Sequence, residues 1–321
     1  MSKSKTVFLD ARTLDPGDND LSVLSSFLDI EIYPRTEYKD TIDVCKNAEI
    51  IITNKAVIDK TVMDACPDLK LIQVAATGFN NVNGAYARSQ GIDVCNISGY
   101  STPSVAQQVF AMLLSYLNSF ESYAHESREG VWSNSEDFSY WHQPIIELHG
   151  QTFGIIGFGT IGEAVARIAS SFGMQVIVSV RTPKESTIPN LEFHDQDYVL
   201  RNSDVLSLHA PLNASTEDLI NKESLARMKK SCILINTARG PMIVEEDLAE
   251  ALNSGEIQAA LLDVLRQEPP EKNNPLFHLK NCYISPHQAW ASLQARQRLL
   301  DLMVHNLKSY LKGELLNCVN L

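Results

Sequence analysis

The sequence predicts an α/β chain built on two doubly wound parallel sheets. Three observations lead there. At 321 residues the chain is about twice the ~150-residue domain prior, so two cores are expected. Short apolar runs alternate with polar, helix-like stretches, and that rhythm stops at one long helix and restarts after it. Strands such as Ile50-Ile51-Ile52 are apolar on consecutive positions, as a parallel sheet covered on both faces requires.

The first series places strands at Thr6–Leu9, Ile30–Tyr33, Glu49–Thr53, Leu69–Ala75 and Ile92–Asn96, with helices at Asp20–Phe27, Asp40–Cys45, Asp59–Ala65 and Val82–Ser89. From Pro103 to about Phe120, apolar residues recur at Val105, Val109, Met112, Leu113, Tyr116 and Phe120, a helical period behind a Ser-Thr-Pro entry. Glu129 to His149 is aromatic-rich without periodicity and reads as an ordered loop packed on a second subunit. The second series has strands at Thr152–Ile156, Gln175–Val180, Val205–Leu208, Cys232–Asn236, Ala259–Asp263 and Cys282–Ile284. Its helices are Ile161–Phe172, Lys222–Arg227 and Glu245–Ser254, and Ala291–Leu311 forms a last long amphipathic helix.

Composition excludes several function classes. Lys+Arg of 27 against Asp+Glu of 39 gives a net charge of −12, which repels nucleic acid and anionic lipid alike. No apolar run approaches the ~20 residues that cross a bilayer, and the N-terminus lacks a secretory pattern, so a cytoplasmic protein is expected. The six cysteines (Cys45, Cys66, Cys95, Cys232, Cys282, Cys318) contain no C-x-x-C pair, so they read as buried free thiols and no metal site is expected.

Gly157-Phe158-Gly159-Thr160-Ile161-Gly162 follows an apolar strand and opens an amphipathic helix. In that context the glycines allow a tight turn and close backbone approach, and the helix N-terminus faces a pyrophosphate, as in a Rossmann dinucleotide site. The acid that usually takes the ribose 2′-hydroxyl of NAD is missing after the second strand. Ser179, Arg181 and Thr182 stand there, with Lys184 beyond, and these suit a 2′-phosphate, so NADP(H) is favoured over NAD(H).

Three further strand ends carry chemically loaded residues: Asn236-Thr237-Ala238-Arg239-Gly240, Asp263-Val264 through Glu268-Pro269, and Ser285-Pro286-His287. Carboxyl ends of parallel strands line the ligand crevice, so the three can converge on one bound cofactor. Together with the glycine loop, in this order and over nearly the full length, they make the chain resemble the D-isomer-specific 2-hydroxyacid dehydrogenases. Ser285-Pro286-His287-Gln288-Ala289-Trp290 and Asn80-Asn81 look most like the glycerate dehydrogenases, also called hydroxypyruvate reductases.

The resemblance implies a flavodoxin-like substrate domain, residues 1–102 and 289–321, and an inserted Rossmann cofactor domain, residues 103–288, with a cleft between. It implies hydride transfer between NAD(P)H and a small 2-keto acid, hydroxypyruvate to D-glycerate first, with D-lactate or another D-2-hydroxy acid as the alternative. Arg239 is then the cation for carboxylate and carbonyl, His287 the proton donor, and Glu268 the group that fixes the imidazole tautomer. His209, Ala210, Pro211, Thr216, Thr237, Ala238 and Asp263 join the glycine loop, Arg239 and His287 around the cofactor, Asp263 at the nicotinamide carboxamide. Ala76, Thr77, Gly78 and Trp290 join Arg239 and His287 around the substrate. A homodimer is expected. Gln107-Gln108 departs from the acid or histidine often found there, and Glu268 argues against a formate dehydrogenase. A dinucleotide-sensing, corepressor-like protein of the same fold is the rival from another class, although Arg239, Glu268 and His287 are all retained.

Overall fold

A computed structural model describes residues 3–183 and 185–320. The chain divides into two compact units, Met1–Ser101 with Trp290–Leu321, and Thr102–Ala289. Lys184 lies outside the described residues.

In the first unit β1 (Lys5–Phe8), β2 (Asp29–Ile32), β3 (Ile50–Thr53), β4 (Leu71–Val74) and β5 (Asp93–Cys95) form one sheet in the order β2-β1-β3-β4-β5, parallel throughout. That order is the flavodoxin-like winding. Successive strand residues point to opposite faces, and each face has its own core. Val7, Ile51 and Ile72 pack with α2 (Tyr38–Cys45), α3 (Lys60–Asp64) and α4 (Gly84–Ser89) through Cys45, Val62, Met63 and Ala87. Phe8, Ile50, Ile52 and Leu71 face the other way. They are covered by Leu24 of the short α1 (Ser22–Ser25) and by Ala295, Leu299, Met303 and Leu307 of the last helix, Leu293–Tyr310. A face of the N-terminal sheet is therefore completed by the C-terminal chain.

The second unit begins with α5 (Thr102–Asn118) and α6 (Phe120–Arg128), separated at Ser119, whose φ of 47° breaks the helix. The sequence reading ended the helix near Phe120 and missed α6, because α6 buries none of its residues and so shows no apolar period. Its sheet has the order β12-β11-β10-β9-β6-β7-β8, all parallel. The strands are β6 (Thr152–Ile156), β7 (Gln175–Ser179), β8 (Leu191–Phe193), β9 (Val205–Leu208), β10 (Ile233–Asn236), β11 (Ala259–Leu262) and β12 (Cys282–Ile284). Phe153, Ile155, Val176, Val205, Ile233 and Ala259 pack under α5 and α7 (Thr160–Ser171). Leu206, Leu208, Leu234 and Leu262 pack under α8 (Gln196–Asn202), α9 (Lys222–Leu225) and α10 (Glu245–Ser254). β8 and α8 were not anticipated: a three-residue edge strand gives too short a signal to read. The last helix, Leu293–Tyr310, is α11. No described helix is long and apolar enough to cross a membrane.

Candidate active site

The glycine loop joins β6 to α7, and its three glycines have different reasons to lack a side chain. Gly157 has φ +95° and would drive a Cβ to 2.5 Å from the Ala210 backbone nitrogen. At Gly162 a Cβ would come within 2.4 Å of the Gly157 carbonyl. Both are packing demands inside the protein. Gly159 differs, since a Cβ there would meet nothing within 4 Å, which leaves open space in front of the α7 N-terminus. Phe158 is buried, while Thr160 is exposed and Ile161 half-buried in the first turn of α7.

The ends of the neighbouring strands lie against this loop. Gly157 donates its N–H to the Ser179 carbonyl at 2.9 Å, so the end of β7 lies beside the glycine turn. Arg181 and Thr182 beyond it are exposed. His209 follows β9, and its Nε2 sits 2.8 Å from the Ser207 hydroxyl. The residue keeps a partly accessible edge, yet its ring lies deep enough that burial pushes it down to about 4, so it is neutral at ordinary pH. Ala210 and Pro211 continue past the loop, and the Thr216 hydroxyl donates to the Pro211 carbonyl at 2.7 Å, closing that turn.

After β10, Asn236 shapes the arginine loop: its Nδ2 donates to the Arg239 carbonyl at 2.9 Å and its Oδ1 accepts from the Ala238 N–H at 2.9 Å. The half-buried Arg239 guanidinium donates to the Ala238 carbonyl at 2.6 Å. Gly240 explains why glycine follows the arginine. A Cβ there would lie 1.9 Å from the Leu265 backbone, so only glycine lets the two loops touch. From that contact the path continues to the histidine. The Leu265 N–H donates to Glu268 Oε1 at 3.0 Å, and Glu268 Oε2 lies 2.6 Å from His287 Nδ1. Glu245 holds the same loop, accepting from the Arg266 N–H at 2.6 Å and from Asn274 Nδ2 at 2.7 Å.

His287 itself has φ 51°, a left-handed backbone that a side chain resists. The loop is held there by Asp263, which is 1% exposed. The Asp263 carbonyl accepts the His287 N–H at 2.8 Å. Its carboxylate accepts from Ser285 Oγ at 2.5 Å, Gln288 N–H at 3.0 Å and Ala289 N–H at 2.8 Å. Burial raises the Asp263 carboxyl above its ordinary value, and these hydrogen bonds pull the other way. Asp263 was expected at the nicotinamide carboxamide. Each of its oxygens already has a partner within the histidine loop, so Asp263 holds that loop, and a carboxylate has lone pairs left for a further donor.

In the first unit the Ala76-Thr77-Gly78 loop follows β4. Ile97 N–H bonds the Ala76 carbonyl at 3.0 Å, and Asn96 Nδ2 bonds that of Thr77 at 2.7 Å. The backbone N–H groups of Thr77 and Gly78 find no acceptor among the described residues. Trp290 stands edge-on to Tyr100, ring centroids 6.3 Å apart. Within the second unit, then, Arg239, Glu268 and His287 are joined by one run of contacts.

A nicotinamide dinucleotide fits the second unit on two observations: the open space at Gly159, and the Thr237 hydroxyl, which is buried without a partner among the described residues. A native protein rarely leaves such a group unpaired. Sequence reasoning missed Glu245 and Asn54. Glu245 looks like any acid in the first turn of a helix. Asn54, past the end of β3, has both amide atoms buried without a partner, and no sequence signal marks it.

The comparisons with known proteins agree with this geometry. A sequence model described as "D-isomer specific 2-hydroxyacid dehydrogenase, NAD binding domain" matches residues 110–289. This chain belongs to that family. This dehydrogenase is 41% identical to a hydroxypyruvate reductase of Blautia hydrogenotrophica over 98% of its own length and 99% of the relative's. It is 37% identical to a glycerate dehydrogenase of Methylorubrum extorquens, covering 98% of each chain. Among solved structures, an NADPH-dependent glyoxylate/hydroxypyruvate reductase of Sinorhizobium meliloti in complex with NADP and malonate superposes with a TM-score of 0.85. That similarity has 28% identity and covers 99% of this chain and 97% of the other.

Proposed function

We propose that this dehydrogenase reduces hydroxypyruvate to D-glycerate, reversibly, with NADP(H) preferred to NAD(H). The observation that carries the chemistry is the His287–Glu268 pair at 2.6 Å, tied through Leu265 and Gly240 to the arginine loop. The substrate assignment rests on the two relatives named hydroxypyruvate reductase and glycerate dehydrogenase, at 41% and 37% identity.

The cofactor, when bound, supplies or accepts the hydride at the substrate's second carbon. Gly157 to Gly162 and the N-terminal turn of α7 would hold its pyrophosphate, with Thr237 and Ala238 alongside. His209, Ala210, Pro211 and Thr216 would line its adenosine and nicotinamide halves. Arg181, with Ser179 and Thr182, would take a 2′-phosphate. The support is an exposed guanidinium and no carboxylate from Ser179 to Thr182.

The substrate's carboxylate would accept from the Ala76–Gly78 backbone, where two N–H groups have no acceptor among the described residues. Arg239 would leave the Ala238 carbonyl for the carboxylate and carbonyl oxygen, because a charged acceptor binds guanidinium about twice as strongly as a neutral one. His287 Nε2 would deliver the proton to that oxygen. With Nδ1–H held on Glu268, Nε2–H of the protonated imidazole is the outward donor, and giving up that proton leaves the neutral ring with Nδ1–H still on Glu268. Trp290, edge-on to Tyr100, is a further candidate contact for the substrate.

A homodimer is part of this proposal, supported by the segment after α5, where Phe120, Trp132, Phe138 and Trp141 are exposed, Phe138 at 90%. Such a run of bare aromatics marks an interface. The negative net charge argues against nucleic-acid and anionic-membrane partners, and a cytoplasmic location completes the proposal. The test is a panel of hydroxypyruvate, glyoxylate, pyruvate and larger 2-keto acids assayed with NADH and NADPH side by side. Hydroxypyruvate with NADPH should give the highest kcat/KM. A higher value for pyruvate would shift the assignment to a lactate-type enzyme, and tight dinucleotide binding without turnover would refute the catalytic reading.

A further inference from the structure

Two cysteines far apart in sequence, Cys95 and Cys318, meet in space. Cys95 ends β5, and Cys318 lies in the tail beyond α11, where the two residues form an antiparallel bridge. Two backbone hydrogen bonds frame them: Asn96 N–H to the Asn317 carbonyl at 3.1 Å and Val319 N–H to the Val94 carbonyl at 2.8 Å. That pattern makes Cys95 and Cys318 a directly opposed, non-hydrogen-bonded pair. Such pairs have Cα atoms about 4.5 Å apart and project their side chains from the same face. Disulfides form at Cα separations of roughly 4.4–6.8 Å, so the backbone is already in place for one.

The surroundings keep it there. Asn320 Oδ1 accepts from the Val94 N–H at 2.8 Å and its Nδ2 donates to the Ile92 carbonyl at 2.9 Å. Asn317 Nδ2 donates to Asn306 of α11 at 2.9 Å. The tail thus acts as a short extra strand along β5.

We propose that Cys95 and Cys318 form a reversible disulfide with a small disulfide such as oxidised glutathione, joining the two chain segments that make up the first unit. Cys318 is half-buried and Cys95 is 2% exposed, so the reagent meets Cys318 first. The Cys318 thiolate attacks one sulfur of the reagent, forming a mixed disulfide and releasing one glutathione thiol. The Cys95 sulfur, giving up its proton, then displaces the second glutathione thiol. Both cysteines are oxidised and the reagent is reduced to two thiols. Burial pushes the Cys95 thiol up to about 12, so the second step is the slow one. The bond closes a loop that contains the whole second unit. A long loop gives the largest entropic gain, and the sulfurs belong to none of the residues assigned to the site.

The native protein is equilibrated with graded ratios of reduced and oxidised glutathione, then trapped in acid, alkylated and mapped by mass spectrometry. The expected result is loss of two hydrogens, a linked peptide pair carrying Cys95 and Cys318, and a rise in Tm of about 5 °C. Turnover of the keto-acid panel should stay within about twofold. Cys318→Ser should abolish the linkage and the Tm shift, while Cys45→Ser should keep both. The proposal is overturned by a lasting glutathione adduct on Cys318, by a Cys45–Cys66 linkage in its place, or by six alkylated thiols throughout. All three readouts are independent of whether hydroxypyruvate is the substrate.

Discussion

Asp10 and Asp263 do the same job in the two units. Each is a buried carboxylate just past the end of a strand, and each binds the loop that leaves the neighbouring strand. Asp10 follows β1 and accepts the N–H groups of Asn54, Lys55 and Ala56, beyond β3, at 2.8, 2.5 and 2.9 Å. Asp263 follows β11 and accepts three donors of the loop beyond β12. Parallel sheets bring loops together at one edge, and an acid with several lone pairs can satisfy a run of N–H groups that would otherwise be buried unpaired. The difference is in what the loop carries. The Asp263 loop holds His287 in a left-handed conformation, whereas the Asp10 loop carries Asn54 and no residue assigned to proton or hydride transfer. On the proposed mechanism the same brace therefore supports catalysis in one unit and folding in the other.

That contrast can be broken in a graded series. His287→Ala should lower kcat by about 10²–10⁴ with cofactor affinity nearly unchanged, as expected on losing a general acid. Steady-state kinetics and a dinucleotide titration check it, and near-normal kcat would remove the histidine from the mechanism. Asp263→Ala should lower kcat by about 10²-fold, because the donor shifts on a freed loop. Asp10→Ala should leave kcat within about threefold and cost on the order of 3 kcal/mol in a denaturant titration, through three N–H groups left unpaired. Equal losses of kcat in the two aspartate variants would end the comparison.

Smaller effects are expected at the cofactor. Arg181→Ala should weaken NADPH binding by about tenfold and NADH binding hardly at all, a charge-assisted contact being worth roughly 1.5–3 kcal/mol at most. Equal weakening would defeat the 2′-phosphate assignment. A last prediction concerns pH. The folded His209 is held near 4 against an ordinary 6.5, so below 6.5 the unfolded chain takes up a proton that the folded one refuses. Stability should fall as pH drops from about 6.5 to 4, by at most about 3 kcal/mol, and should be level above. His209→Asn should flatten that slope in urea titrations at successive pH values.

Much of this was legible before the fold was known. The chemistry-bearing residues stand at the ends of apolar strands, where type and position both show. Arg239, Glu268 and His287 could be named because a guanidinium, a carboxylate and an imidazole each suggest a role. The roles of Gly240 and Glu245 could not, since each acts by touching a loop distant in sequence. Asp263 was noticed for the cofactor, but its hold on the histidine loop was not, because sequence shows that a carboxylate is present without showing which donors it meets. Helix α6 was missed for want of a buried face, and β8 because an edge strand is short.

The sequence alone determined the alternation of strands and helices, the glycine turn, and the charged residues available for hydride and proton chemistry, because these depend on local periodicity and residue type. Tertiary structure decided which loops meet. The Gly240–Leu265 contact, the Asp263 brace and the facing of Cys95 and Cys318 all join residues far apart in the chain. Their physical basis is the side-by-side pairing of strands, and no local pattern encodes a strand's neighbour.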